Sequence, residues 1–363
     1  MSRPWEVVKS KNFLILLLFI LATCISIWLV SVPTPNFRNI MTQTHKQFKK
    51  IKHINVISPK KQEDDINVDE TYLELLGFNS KGGLYPSSVD KELNVPVIVT
   101  GTLSTDIDQL YKLIESVRRH LSDRYLVIYD LGLNSVELVQ LKKHCNSSMN
   151  CTVKPLDLSK FPMHVRDPHL KAYIPVTIQK ALSEYGAVIW TDTREYFITN
   201  DIADVLKKAE KNGIAGWPIE SEEPTSAFTH PKMFKYFKTR PDLYFFHKMI
   251  GSNHLVIYNT EVIHRKLMLL WLKCALSSVS DCIYPLGAQS RGCHSDRKPL
   301  YRYSRCHKSG MSALNVILGL IFDYDDTKYS VRQKIFGIET AADKDLVVTT
   351  KRTSLPTGPP EIS

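Results

Sequence analysis

From Val95 to Trp217 the chain alternates short, uninterrupted apolar runs with segments of helical period, and few folds accommodate that alternation. Val95–Thr100, Tyr125–Tyr129, Thr152–Leu156, Ala187–Trp190 and Gly213–Trp217 read as strands, and Leu255–Tyr258 repeats the pattern further on. Between them Asp106–Leu121 carries Ile107, Leu110, Leu113, Ile114 and Val117 at helical spacing, and Ser135–His144, His169–Tyr185 and Asp201–Lys211 read as further helices. A strand with no polar alternation is buried on both faces, which requires helices on both sides of a parallel sheet. The pattern therefore predicts an α/β fold: a Rossmann-like three-layer domain with a mainly parallel sheet, over about residues 93–340.

What precedes this domain is different in kind. Phe13–Val32 is an apolar run without a charge. Its twenty residues span about 30 Å as a helix, the thickness of a bilayer's hydrocarbon core. It is longer than the apolar core of a cleaved signal peptide, and Pro33 and Pro35 follow where a cleavage site would stand. We read residues 1–12 as a tail, 13–32 as one transmembrane signal anchor, 33–92 as a stem and 341–363 as a C-terminal tail. The basic excess lies in this arm. Of 47 Lys and Arg, ten fall in residues 1–62, against one of 37 acids, so the body is nearly balanced. A nucleic-acid-binding domain would carry its basic patch on the folded part, so no nucleic-acid partner is expected.

Orientation receives opposing signals. More Lys and Arg follow the span than precede it, which favours a cytosolic body. Asn146-Ser-Ser and Asn150-Cys-Thr are acceptors for N-glycosylation, which favours a luminal one. Outside the apolar run stand Cys145, Cys151, Cys274, Cys282, Cys293 and Cys306, an even set suited to an oxidising compartment. Proximity alone pairs them as Cys145–Cys151, Cys274–Cys282 and Cys293–Cys306. Together these signals predict a single-pass type II protein of the Golgi or ER membrane with a luminal body.

In a parallel α/β sheet, ligands bind beyond the carboxyl ends of the strands. Polar residues stand at three such ends: Thr100-Gly101-Thr102, Asp130-Leu131-Gly132 and Asp192-Thr193-Arg194. No G-x-G-x-x-G follows the first strand, and no P-loop, H-E-x-x-H, paired C-x-x-C or G-x-S-x-G is present, so dehydrogenase, nucleotidase, zinc-protease and hydrolase readings lose support. Asp192 is the leading catalytic and metal-ligand candidate. A carboxylate there could hold a divalent ion bridging two phosphates, or it could simply cap the turn. Arg194 could neutralise a phosphate itself or pair with an acid nearby. Arg166 and Lys171, before a helix, are further anion candidates, and Asn253 and His254, before a strand, are cleft candidates. Of Glu220, Glu222 and Glu223, Glu222 stands as the catalytic base candidate. The aromatic run Phe234, Tyr236, Phe237, Tyr244, Phe245 and Phe246 reads as core packing or as a platform for a sugar ring.

The order of Val95–Thr100, Tyr129-Asp-Leu-Gly-Leu133, Val188-Ile-Trp-Thr-Asp-Thr-Arg-Glu-Tyr-Phe197, Gly251-Ser-Asn253 and Ser312-Ala-Leu-Asn315, with the cysteines from Cys274 to Cys306, resembles a nematode-expanded family of type II membrane proteins. The luminal domain of that family is similar to the GT-A fold of nucleotide-diphospho-sugar transferases. The resemblance implies a nucleotide-sugar transferase fold, and the strand-end, anion and cleft candidates Thr100, Gly101, Asp130, Arg166, Lys171, Arg194, Asn253 and His254 are the residues expected to hold the donor of a glycosyltransferase. It also implies Mn²⁺ or Mg²⁺ on Asp192, and a glycan or glycoprotein acceptor. Two departures stand out. GT-A enzymes usually present Asp-x-Asp where this chain has Asp192-Thr193-Arg194, and Lys308-Ser-Gly310-Met stands where an acid often precedes the Ser-Ala-Leu-Asn helix. These departures keep open a second reading, a catalytically inactive transferase-like protein that binds a glycan or a partner. Asp323-Tyr324-Asp325 lies late in the chain and Asp106-Ile107-Asp108 at a helix start, so neither is taken as a metal motif.

Overall fold

The apolar runs become the middle of a sheet. A computed structural model of the chain describes residues 15, 18–25, 69–79, 83–86, 95–290 and 299–338. Its strands are β1 Val97–Thr102, β2 Leu126–Asp130, β3 Cys151–Pro155, β4 Ala187–Thr191, β5 Glu195–Phe197, β6 Ile214–Pro218, β7 Ile250–Tyr258 and β8 Phe336–Ile338. Six of them form one sheet in the order β3-β2-β1-β4-β7-β6, and β5 pairs with β8 in a two-stranded sheet. β1 is parallel to β2 and to β4, and β2 to β3, whereas β7 is antiparallel to both neighbours. The sheet is thus mixed and mostly parallel, with β7 as its one reversed strand.

The helices are α1 Glu70–Leu75, α2 Ile107–His120, α3 Ser135–His144, α4 Tyr173–Tyr185, α5 Ala203–Asn212, α6 Pro231–Tyr236, α7 Leu269–Leu276, which continues a π-helical stretch Ile263–Met268, and α8 Ser309–Ile321. Alternate residues of the central strands feed two cores. Val99, Val127, Val188, Trp190, Leu255 and Ile257 pack with residues of α4, α7 and α8. Ile98, Ile128, Ile189, Ala215 and Val256 pack with residues of α2, α3 and α5. This is the three-layer arrangement the uninterrupted apolar strands require. Local signals agree with it. Asn134 and Glu137 form a reciprocal capping box that starts α3, and α2 buries Leu110, Leu113, Ile114 and Val117, its periodic stripe.

Several boundaries differ from the sequence reading. Residues assigned to the stem belong to the folded body: Leu73, Leu76 and Phe78, in and just after α1, are buried in the core formed with α4, α7 and α8. The strand expected at Leu255–Tyr258 begins earlier, at Ile250, because a buried side chain holds its first residue. Asn315 of α8 accepts the Ile250 N–H at 2.8 Å and donates to the Ile250 carbonyl at 2.8 Å. Ser312 donates to the Phe228 carbonyl at 2.7 Å. The Ser-Ala-Leu-Asn stretch is therefore structural here. Asp323-Tyr324-Asp325 is a turn, with positive φ at Asp323 and Tyr324.

Cys145–Cys151 and Cys274–Cys282 are disulfides, as proximity suggested. Cys306 is also disulfide-bonded, and Cys293 lies outside the described residues. The chain divides into two units, Met1–Asp64 and Asp65–Ser363. In the first, residues 18–25 are helical and expose Leu18, Phe19, Ile20, Leu21 and Ile25. Among the described residues no helix is long and apolar enough to cross a membrane. Most of the predicted anchor, and the stretches 33–68 and 339–363, lie outside them.

Candidate functional site

The chain runs from β1 to β2 and β3 on one side of β1, then returns to β4 on the other side. Such a reversal opens a crevice at the carboxyl ends of the two strands that flank it. Gly101 and Thr102 stand at the end of β1, and Asp192 follows the last residue of β4. The antiparallel β7 brings its first half to the same end, with His254 beside Thr191.

Asp192 is the centre of what gathers there. Its N–H donates to the Asn253 carbonyl at 2.6 Å, which extends the β4–β7 ladder by one bond. Oδ1 accepts the Arg194 N–H at 3.2 Å and Arg194 Nε at 3.1 Å, and Oδ2 accepts Arg194 Nη2 at 3.3 Å. Lys171 Nζ stands 3.6 Å from Oδ2 and donates to Asn253 Oδ1 at 2.7 Å. Asn253 Nδ2 in turn donates to Glu195 Oε1 at 3.4 Å, and His254 Nδ1 lies 3.6 Å from that oxygen. The His254 ring is wedged between Trp217 and Phe336. The result is a continuous polar chain, Arg194–Asp192–Lys171–Asn253–Glu195–His254.

Local structure explains how these side chains meet. Lys171 adopts φ of 52°, a left-handed conformation that costs energy outside glycine. α8 starts directly against that backbone: a Cβ on Gly310 would lie 3.0 Å from the Lys171 carbonyl oxygen, and the Gly310 N–H donates to the Leu170 carbonyl. A side chain at 310 would force the Lys171 backbone away by a few tenths of an ångström, so glycine suits this close approach, and the contact holds Lys171 where it is. Gly101 is closed over in the same way. A Cβ there would meet Leu131 Cδ1 at 2.8 Å, so its lack of a side chain serves packing.

Charges follow from this geometry. Burial alone would raise the Asp192 carboxyl, but Lys171 and Arg194 outweigh it and hold the group below its ordinary range. Burial pulls the Lys171 ammonium down, and Asp192 only partly restores it. The hydrogen bonds to Asp192 raise Arg194. Asp106, just before α2, lies within electrostatic reach, and burial together with the nearby Asp192 charge pushes its carboxyl up. Asp192 and Glu195 are 8% and 2% exposed, whereas the Arg194 side chain is 53% exposed, so solvent meets the cation and not the carboxylates. Glu195 Oε2, His254 Nδ1 and Thr100 Oγ1 are buried without a hydrogen-bond partner among the described residues.

The structure therefore brings together Asp192, Lys171, Arg194, Asn253 and His254. The other candidates stand elsewhere. Asp130 Oδ1 accepts the Gly132 and Leu133 N–H groups and shapes the turn after β2. Arg166 is exposed and donates to the Leu158 carbonyl. Glu222 is an exposed side chain paired with Lys248. Asn146 and Asn150 lie on the turn closed by Cys145–Cys151, where Asn150 is exposed and its amide donates to the Ser122 carbonyl at 3.2 Å.

Glu195 escaped the sequence reading, and Asp106 was read only as an acid at a helix start. The signal for Glu195 was an acid directly after Asp192-Thr193-Arg194; for Asp106, it was its place after the first strand end. As a metal centre, the donor set does not fit. Both Asp192 oxygens already face cations, and among the described residues no group of three or more His, Cys, Asp or Glu could hold an ion. Of the two readings expected for Asp192, metal ligand or turn cap, the Arg194 N–H on Oδ1 is the bond a turn cap makes.

No protein-family model matches the chain, and no curated protein matches its sequence. Solved structures to which it is similar are glycosyltransferases. One is the apo structure of the bifunctional glycosyltransferase WbbM, at 11% identity and TM-score 0.42, covering 71% of this chain and 44% of that one. Another is the galactosyltransferase LgtC with donor and acceptor sugar analogs, at 11% identity and TM-score 0.40, covering 72% and 97%. A third is mouse xyloside xylosyltransferase 1, at 11% identity and TM-score 0.38, covering 66% and 85%. The chain thus spans less than half the length of WbbM. Likeness this distant carries no argument about what the chain does.

Proposed function

We propose that the crevice between β1 and β4 binds the diphosphate of a nucleotide sugar, and that the protein is a glycosyltransferase. The observation that carries this reading is Arg194: a half-exposed guanidinium at the reversal point of the sheet, fixed along one edge by a buried carboxylate. A guanidinium has five N–H donors. Nε and Nη2 are spent on Asp192, and among the described residues the remaining edge is free to take up a phosphate oxygen. A leaving diphosphate gains negative charge, and a cation held in place beforehand stabilises that charge without reorganising. Lys171 adds a second positive charge behind it, and Asp192 and Asn253 are positioning residues. The chemistry is therefore read without a step through a metal.

We also propose that Phe13–Val32 anchors the protein in a Golgi or ER membrane as a type II protein, with Asn146 and Asn150 glycosylated and a glycan or glycoprotein as acceptor. Calorimetric titration of the detergent-solubilised full chain with UDP and GDP tests the site. Binding of at least one, lost in Arg194→Ala, supports the reading; binding unchanged in Arg194→Ala overturns it. The capture of both Asp192 oxygens by cations favours a second reading, a transferase-like protein that binds without turnover. Nucleotide binding with no sugar transfer from UDP- or GDP-sugars to any tested glycan would select it. For topology, endoglycosidase should lower the mass of the membrane-expressed protein, and an unchanged mass counts against a luminal body.

A further inference from the structure

A second cavity, of about 330 Å³, shares no lining residue with the β1–β4 crevice. Its origin lies in the aromatic run between β6 and β7. Phe234, Phe237 and Tyr244 turn into the core, and Tyr244 donates to the Val316 carbonyl at 2.7 Å. Phe245 is only half-buried and stacks on Tyr301, with centroids 4.2 Å apart. These two rings, Tyr303 and three prolines wall the cavity. Among the described residues the Thr229 and Tyr303 hydroxyls of the lining have no hydrogen-bond partner, and no acid pairs with Arg302. Thr229 is fully buried, yet its Oγ1 makes no hydrogen bond. Arg302 is exposed, and no acid pairs with its guanidinium among the described residues.

We infer that this cavity binds a hexuronic acid unit of a saccharide. A pyranose ring has an apolar C–H face and a rim of hydroxyls. Stacked aromatic rings and prolines suit the face, and the unpartnered Thr229 hydroxyl suits one rim hydroxyl. Ligand pockets of about 300–1,000 Å³ with apolar walls and few placed polar groups have this composition. Arg302 supplies a fork for a carboxylate. It is the one cation lining the cavity among the described residues, which matches a monoanion, whereas a phosphate ester carries a charge of about −1.5 to −2 and calls for more. The inference does not depend on what the strand-end crevice binds.

Saturation-transfer NMR on the detergent-solubilised full chain tests it, with methyl β-D-glucuronide and methyl β-D-glucoside as probes. The glucuronide should receive saturation on its ring protons and bind about tenfold more tightly than the glucoside, the margin a charge-assisted Arg–carboxylate pair provides. Arg302→Ala should abolish that preference, and Thr229→Val should weaken both sugars severalfold. Arg302 is exposed, so the first variant keeps the fold; a thermal melt of each variant checks this. Excess UDP should leave the saturation unchanged. Absence of transfer to the glucuronide, equal affinity for the two sugars, insensitivity to Arg302→Ala or displacement by UDP would each overturn the assignment.

Discussion

Asp192→Asn keeps the size of the side chain and leaves Oδ1 able to accept the Arg194 N–H, but it removes the charge and replaces Oδ2, which faces Arg194 Nη2 and Lys171 Nζ, with an N–H donor. Two cations then lose their shared counter-ion. Breaking a fully buried ion pair costs about 3–5 kcal/mol, whereas an exposed pair is worth about 0–1 kcal/mol. Asp192 is 8% exposed, but the Lys171 and Arg194 side chains are 23% and 53% exposed, so water recovers part of the loss. The expected cost lies between these limits, about 2 kcal/mol. For a domain of this order of size that lowers Tm by about 4–8 °C. Thermal and urea melts of the detergent-solubilised chain at neutral pH measure it. Because Lys171 and Asp192 share one interaction, the cost of Asp192→Asn should fall by about half in a Lys171→Met background. The pH dependence has a definite sign. The Asp192 carboxyl is held below its ordinary range, so its stabilisation is present above the unfolded value of about 4 and is lost as pH falls through the folded one. Wild-type and variant stabilities should therefore converge in acid. A Tm unchanged at neutral pH, or a gap that widens in acid, would refute the reasoning.

Other predictions follow from features away from this carboxylate. His307 is fully buried, with Nδ1 accepting the His230 N–H and Nε2 facing the Ile283 carbonyl, and burial pulls its pKa down to about 4. A depressed histidine costs stability as it is forced to charge, so up to about 3 kcal/mol should be lost between pH 6.5 and 4, and His307→Gln should flatten that slope in urea melts. Gly310→Ala gains about 1 kcal/mol of helix propensity but presses a methyl on the Lys171 carbonyl at a cost of about 1–3 kcal/mol. A lowered Tm together with weaker UDP binding is expected, and unchanged binding would separate Gly310 from the site. Cys145→Ser with Cys151→Ser opens a short loop and should cost about 2 kcal/mol; non-reducing peptide mapping checks the pairing first.

The sequence pattern was clearest where burial is two-sided. β1, β2 and β4 are central, and their apolar runs have no other explanation. The first half of β7 was illegible for the opposite reason. Gly251-Ser-Asn253-His254 belongs to the sheet but faces the crevice, so the residues that make the site erase the periodicity that would reveal the strand. β5 and β8 are three residues each and pair across a long sequence separation, which no local pattern encodes. Glu195 was hidden with them, because its burial depends on that pairing. α1 reads as an isolated polar-flanked helix until Leu73 and Leu76 find the core. Of the proposed cleft residues, Asp192 and Arg194 were found through strand-end position, and Lys171 as a cation before a helix. Arg166 and Glu222 were proposed for charge alone, and charge does not specify direction.

The reversal of β7 has a consequence for how such a chain can change. A parallel strand would enter the sheet at the end opposite the crevice, and whatever preceded it would stand far from the ligand. β7 enters at the crevice end, so residues 219–249 lead into the sheet from that end. The register of β7 is held from elsewhere, by Asn315 gripping Ile250. Insertions or exchanges within that leading segment can therefore alter that end of the sheet while β7 keeps its alignment. Selection for a new surface there and selection for a stable sheet would act on separate residues of one continuous stretch.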